Sequence, residues 1–166
     1  MTKHDSLDQY ATYLVKRVQT QLTQNFHGKA KELGATVDRW RVLAALHFHG
    51  PLNVSQLADR ANTEISTLSH LLTRMMAEGL VQRQRYRQDA RVKQVELTPR
   101  GLELALTLLP LLDQHEDVAL RGFSAEEVAT VKQLLRRMVE NMRLLDSGTG
   151  IQCAPFSRLV ATAAAE

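Results

Sequence analysis

The sequence predicts a mainly helical chain carrying one small β-hairpin, and three observations support this. Apolar residues recur at three- and four-residue steps in a succession of separate segments along the chain. Late in that succession two stretches have strand character instead, Leu80 to Tyr86 and Val92 to Leu97, joined by the short link Arg87-Gln88-Asp89-Ala90-Arg91. Aromatic residues make up only 5% of the chain, so its core must be assembled from Leu, Val, Ala and Met. A length of 166 residues suits one domain or one domain with extensions. A hydrophobic content of 44% argues against disorder throughout.

Residues 6–27 form the first predicted helix, with Leu7, Tyr10, Leu14, Val18, Leu22 and Phe26 as its apolar stripe. Gly28 to Gly34 is a predicted break. Thr36 is a good N-cap for a second helix over 37–48, with Asp38 in the first turn, where the helix dipole favours an acid. Its buried face is Val37, Trp40, Leu43, Ala44 and Leu46, and Gly50-Pro51 stops it. Asn53, with Gln56 three residues on, caps a short third helix over 54–61 that buries Val54, Leu57, Ala58 and Ala61. The fourth helix spans 64–78, with Leu68, Leu71, Leu72, Met75 and Met76 inward and Gly79 as its stop. After the hairpin, Thr98-Pro99 starts a Leu-rich helix over 99–120. Leucine on nearly every face predicts burial on several sides, and Pro110 predicts a kink. Ser124-Ala125-Glu126-Glu127 is a capping box for a last helix over 125–145, striped with Val128, Val131, Leu134, Leu135, Met138, Met142 and Leu145. Ser147-Gly148-Thr149-Gly150 then leads into an Ala-rich tail.

Net charge is only +3, with a pI near 9.2, so position matters more than total. Between Val81 and Val95 lie Arg83, Arg85, Arg87, Arg91 and Lys93 against the single acid Asp89, a density suited to phosphates. The single cysteine, Cys153, excludes an intramolecular disulfide. It is a passive thiol or an oxidant sensor. The N-terminus lacks an apolar signal core, and no apolar run approaches the ~20 residues that cross a bilayer. A cytoplasmic protein with no membrane partner is the expectation. No Gly-x-Ser-x-Gly, His-Glu-x-x-His or phosphate-binding Gly-rich loop is present, so no enzyme and no cofactor are expected. His47 and His49 would point about 160° apart on a helix, a poor metal pair.

Helix, turn, helix, Gly, basic strand, Asp-x-Arg turn, strand and Leu-Thr-x-x-Gly, in that order, make a winged helix-turn-helix. With long helices on both sides, the chain resembles the multiple-antibiotic-resistance regulator (MarR) family. The residues that carry the resemblance are Trp40-Arg41-Val42-Leu43, Ser55-Gln56-Leu57-Ala58, Ser66-Thr67-Leu68-Ser69-His70-Leu71-Leu72, Glu78-Gly79-Leu80-Val81, Asp89-Ala90-Arg91 and Leu97-Thr98-Pro99-Arg100-Gly101, and the order holds over 7–145. The chain departs from the pattern in its longer tail and in a wing tip without Gly. The implied organisation is an N-terminal dimerisation helix in 1–34, a DNA-binding lobe in 35–98, C-terminal dimerisation helices in 99–146 and a tail in 147–166.

A helix that enters the major groove, about 12 Å wide, needs a front that is polar but not bulky. Ser66, Thr67, Ser69 and Thr73 meet that need, and a Thr methyl can also touch a thymine methyl. His70 reads a guanine edge or touches phosphate, and Arg74 lies one turn on, at a phosphate. The resemblance assigns Arg91 to the minor groove, where A·T-rich segments concentrate negative potential. Asp89 holds a wing arginine through a charge-assisted bond or simply favours the turn. Arg83, Arg85, Arg87 and Lys93 suit backbone contacts better than base reading.

The first helix and the last two carry more apolar surface than a lobe of about 60 residues can cover, which predicts a two-fold homodimer. Such a dimer reads a palindromic operator in double-stranded DNA with half-sites about 10 bp apart. The resemblance further implies a small-molecule effector, an aromatic or phenolic acid or an acyl-CoA, near Tyr13, Arg17, Trp40, Arg41, His47 and Leu106. The function expected is a repressor released by that effector. Its alternatives are an activator of the same fold and a helical dimer whose basic wing binds an acidic protein.

Overall fold

The computed structural model describes residues 6–85 and 93–146. Its elements are a 3-10 turn (Leu7–Gln9), α1 (Ala11–Glu32), α2 (Val37–His49), α3 (Val54–Ala61), α4 (Ile65–Ala77), β1 (Val81–Arg85), β2 (Lys93–Leu97), α5 (Pro99–Ala119) and α6 (Ala125–Asp146). The mainly helical class with one small hairpin is therefore the class observed. The chain divides into two compact units, one of residues 14–118 and one of residues up to 13 together with those from 119 onward.

In the unit 14–118, five helical segments and the hairpin enclose one apolar core. Phe26 and Ala30 enter it from α1, Trp40, Val42, Leu43, Ala45 and Leu46 from α2, and Leu57, Ala58 and Ala61 from α3. Leu68, Leu72 and Met75 come from α4, Val81 and Val95 from the hairpin, and Ala105 and Leu108 from α5. Among the described residues no polar or charged side chain is buried. The capping signals act as their chemistry dictates. Thr36 Oγ1 accepts the Arg39 N–H at 3.3 Å, and Asn53 and Gln56 bond each other's backbone N–H at 2.9 and 3.1 Å. Val42 and Ala45, which the apolar periodicity does not single out, are buried because α2 is covered on more than one side.

One expectation is corrected here. The first helix does not break at Gly28: a separate 3-10 turn precedes α1, and α1 runs through Gly28 to Glu32. Phe26 and Ala30, both buried, anchor the helix on either side of the glycine, and packing outweighs the ~1 kcal/mol of propensity that Gly forfeits. The two-stranded sheet is the expected hairpin, with one isolated bridge added beside it. β1 and β2 pair antiparallel with Val81 opposite Leu97 and Arg83 opposite Val95, and Leu52 adds a bridge to Val95 through bonds of 3.1 and 2.8 Å. In the single chain, Leu104, Leu109 and Leu111 of the Leu-rich α5 are half-buried against the core. Ala105 and Leu108 are buried, whereas Leu102, Leu106 and Leu112 are exposed in the single chain. Pro110 lies inside α5, which continues to Ala119.

In the other unit, α6 opens on the predicted box: Ser124 Oγ accepts the Glu127 N–H at 3.2 Å, and Glu127 accepts the Ser124 N–H at 2.7 Å. None of its described side chains is buried. Val128, Val131 and Met138 are half-buried, and Leu134, Leu135, Val139 and Met142 are exposed.

Candidate nucleic-acid interface

α3 and α4 are joined by a tight turn in which Asn62 takes a left-handed conformation at φ 50° and the Thr63 N–H bonds the Ala58 carbonyl at 3.0 Å. Leu57, Ala58 and Ala61 of α3 bury against the same core as Leu68, Leu72 and Met75 of α4. With that side of α4 committed, Ser66, Thr67, Ser69, His70, Thr73 and Arg74 are all exposed, as the sequence predicts. Ser69 Oγ donates to the Ile65 carbonyl at 2.8 Å, and Thr73 Oγ1 to the Ser69 carbonyl at 3.0 Å. Ile65, absent from the predicted site, is 53% exposed at the head of this face.

Behind α4 lies a junction that the sequence-based site residues omit. Gly79 turns the chain at φ +69°, the Thr98 hydroxyl donates to its carbonyl at 2.5 Å, and the Thr98 N–H donates to the Leu80 carbonyl at 3.1 Å. Arg100 donates to the Glu78 carbonyl at 3.0 Å, and the Glu78 carboxylate pairs with Arg39 of α2. Thr98 Oγ1 accepts the Gly101 N–H at 3.1 Å, and a Cβ on Gly101 would stand 1.9 Å from the Leu80 carbonyl oxygen. The Leu-Thr-x-x-Gly pattern thus has a physical content. Its Thr caps α5 and staples it to the end of α4, and its Gly lets the two backbones meet. The residues at this junction come from segments far apart in sequence, so no local spacing announces them.

In the wing, Arg83 and Lys93 are exposed, and β1 carries Arg85 at its end, opposite Lys93. Gln82 donates to Glu96 across the strands at 2.7 Å. Arg87, Asp89 and Arg91 lie outside the described residues, as does Cys153.

The six effector candidates have varied surroundings. Trp40 is buried core, its ring 5.7 Å from that of Phe26. Arg41 is half-buried, with a nitrogen 3.6 Å from Asp38, and His47 is half-buried edge-on to Phe48. Arg17 is exposed and Tyr13 half-buried, and Tyr13 belongs to the other unit. Leu106 alone of the six lines a shallow groove of about 440 Å³ along α5, with Pro99, Leu102, Glu103 and Thr107.

A two-helix reading unit backed by a third helix and followed by a basic antiparallel hairpin defines the winged helix-turn-helix class of DNA-binding proteins. The MarR family model matches residues 36–93. The chain is 27% identical over 138 residues to the transcriptional repressor IacR of Pseudomonas putida, covering 83% of each chain. It is 30% identical over 104 residues to the transcriptional regulator HosA of Escherichia coli O127:H6, covering 63% of this chain and 77% of HosA. Among solved structures, a MarR-family transcriptional regulator from Silicibacter pomeroyi superposes with a TM-score of 0.77 at 31% identity, over 84% of this chain and 94% of that one. The chain belongs to the MarR family of transcriptional regulators.

Proposed function

We propose that the chain acts in the cytoplasm as a homodimeric repressor that binds a palindromic operator and is released by a small molecule. The observation that carries this is the exposed face of α4, a strip of hydroxyls with one histidine and one arginine, held outward by a fully apolar back. In this reading Arg83, Arg85, Arg87 and Arg91 of the wing sequence supply phosphate and minor-groove contacts. Exposed apolar side chains support pairing: Leu14, Val15 and Val18 on α1, Leu102, Leu106 and Leu112 on α5, and Leu134, Leu135 and Met142 on α6. A second copy removes them from water. That the related IacR is a repressor supports the direction of control.

Release follows as a population shift. Two dimer states differ in the spacing of their reading helices, DNA favours one, and an effector displaces the equilibrium by its preference for the other. Arg17 and Arg41 are the cations suited to a carboxylate effector, and the α5 groove at Leu106 offers apolar surface for an aromatic ring. The test is selection of duplex DNA from a randomised pool by the purified chain, followed by competition with a panel of aromatic carboxylic acids and acyl-CoA thioesters. An enriched inverted repeat whose complex dissociates with one class of compound is expected. Enriched DNA without two-fold symmetry would contradict the paired arrangement.

A further inference from the structure

The exposed face of α4 has a marked hydrogen-bonding polarity. Ser69 Oγ and Thr73 Oγ1 already donate their hydrogens to the Ile65 and Ser69 carbonyls, at 2.8 and 3.0 Å. Each hydroxyl therefore offers an approaching molecule lone pairs instead of a proton. Glu64, the residue before the helix, is exposed and its side chain makes no capping bond, so it adds an acceptor. Beside these stands Ile65, 53% exposed although it lies three and seven residues before the buried Leu68 and Leu72. Helical geometry sets it about 40° around the axis from Ser69, at the edge of the polar face. It forms part of the wall of a shallow open groove of about 340 Å³, with Ser55, Asn62, Thr63 and Glu64.

We propose that Ile65 is a specificity-determining residue that packs on thymine 5-methyl groups in the major groove, so that α4 selects A·T-rich half-sites. The inference rests on the DNA-reading role given to α4 above. An A·T pair shows the major groove an amino donor on adenine beside a methyl on thymine, whereas a G·C pair shows an amino donor on cytosine and two acceptors on guanine but no methyl. Acceptor-presenting hydroxyls beside an apolar side chain match the first pattern. Guanine needs a donor such as His70, which stands about 140° around the helix axis from Ile65. An isoleucine left in water at the head of a reading helix gains by covering a methyl, since each apolar group removed from water is favourable.

The test uses the full chain and duplex DNA that it has enriched from a randomised pool. Each thymine of a half-site is replaced in turn by uracil, which deletes the 5-methyl and leaves the hydrogen-bonding edge unchanged. At one or two thymines the wild-type chain should bind the uracil duplex about fourfold more weakly, the factor that burial of one methyl contributes. Ile65→Ala should bind the thymine duplex weakly by a similar factor and no longer distinguish the two bases there, while Ile65→Val keeps part of the discrimination. Both variants should melt within a few degrees of wild type, and should Ile65→Ala lose its fold, the reduced discrimination of Ile65→Val decides the matter. Indifference of the wild type to uracil at every position, or full discrimination surviving in Ile65→Ala, overturns the inference and leaves DNA binding intact. A chain that enriches no DNA at all overturns both.

Discussion

A Cβ placed on Gly101 would lie 1.9 Å from the Leu80 carbonyl oxygen, whereas one placed on Gly28 meets nothing within 4 Å. Both glycines sit inside helices, so the two positions should respond in opposite directions to the same change. Gly101→Ala forces backbone apart at the junction of α4, β1 and α5 and should cost about 3 kcal/mol, the upper range for overpacking. Gly28→Ala removes unfolded-state freedom at an exposed helical position and should stabilise by about 0.5–1 kcal/mol. Thermal or urea unfolding of the two variants checks both, and a destabilised Gly28→Ala would contradict the continuous α1. The sequence marked both residues, one as a motif glycine and one as a break. It could not separate them, because the difference lies in what approaches each Cα from elsewhere in the chain. Glu78 makes the same point. Its carboxylate holds Arg39 and its carbonyl holds Arg100, from segments on either side of it in the chain.

Helices bounded by local chemistry were readable before any tertiary contact was known. α3 begins at Asn53 because a capping box is complete within four residues, and α6 begins after Ser124 for the same reason. The outward face of α4 was readable too, since a single buried stripe leaves its complement exposed. What escaped was set by packing at a distance. The Leu52 to Val95 bridge is too short to leave a period-two pattern beside Gly50-Pro51, and Ile65 falls on the apolar side of the helical repeat yet lies beyond the edge of the core. The wing carries a prediction of its own. Arg91→Ala should weaken binding to operator DNA and, if the side chain neutralises a backbone charge in the minor groove, lower the salt slope by about 1. Fluorescence anisotropy checks the affinity, and light scattering should find the oligomeric state unchanged. Unchanged affinity would remove Arg91 from the interface. Arg74→Ala should weaken selected and unselected duplexes by similar factors, as expected of a phosphate contact.

No described side chain of α6 is buried in the single chain, and Leu134, Leu135, Val139 and Met142 are exposed along it. A chain of 18.7 kDa with this much uncovered apolar surface should scatter light as a species of twice that mass at micromolar concentration. Replacing Leu134 and Met142 by Glu should shift it to the single-chain mass, and a wild-type monomer would undo the two-fold arrangement. In the proposed dimer, pairing would also decide how strongly DNA is held, because two reading helices and two wings would neutralise several phosphates at once. The decisive measurement is therefore the salt dependence of binding to an inverted-repeat duplex that the chain itself has enriched. If both lobes dock through α4 and the wing, 6–10 phosphate contacts should reduce affinity by about 10³–10⁵-fold between 50 and 200 mM salt, with two chains bound per duplex. A flat response to salt over that range, or one chain bound per duplex, would contradict it.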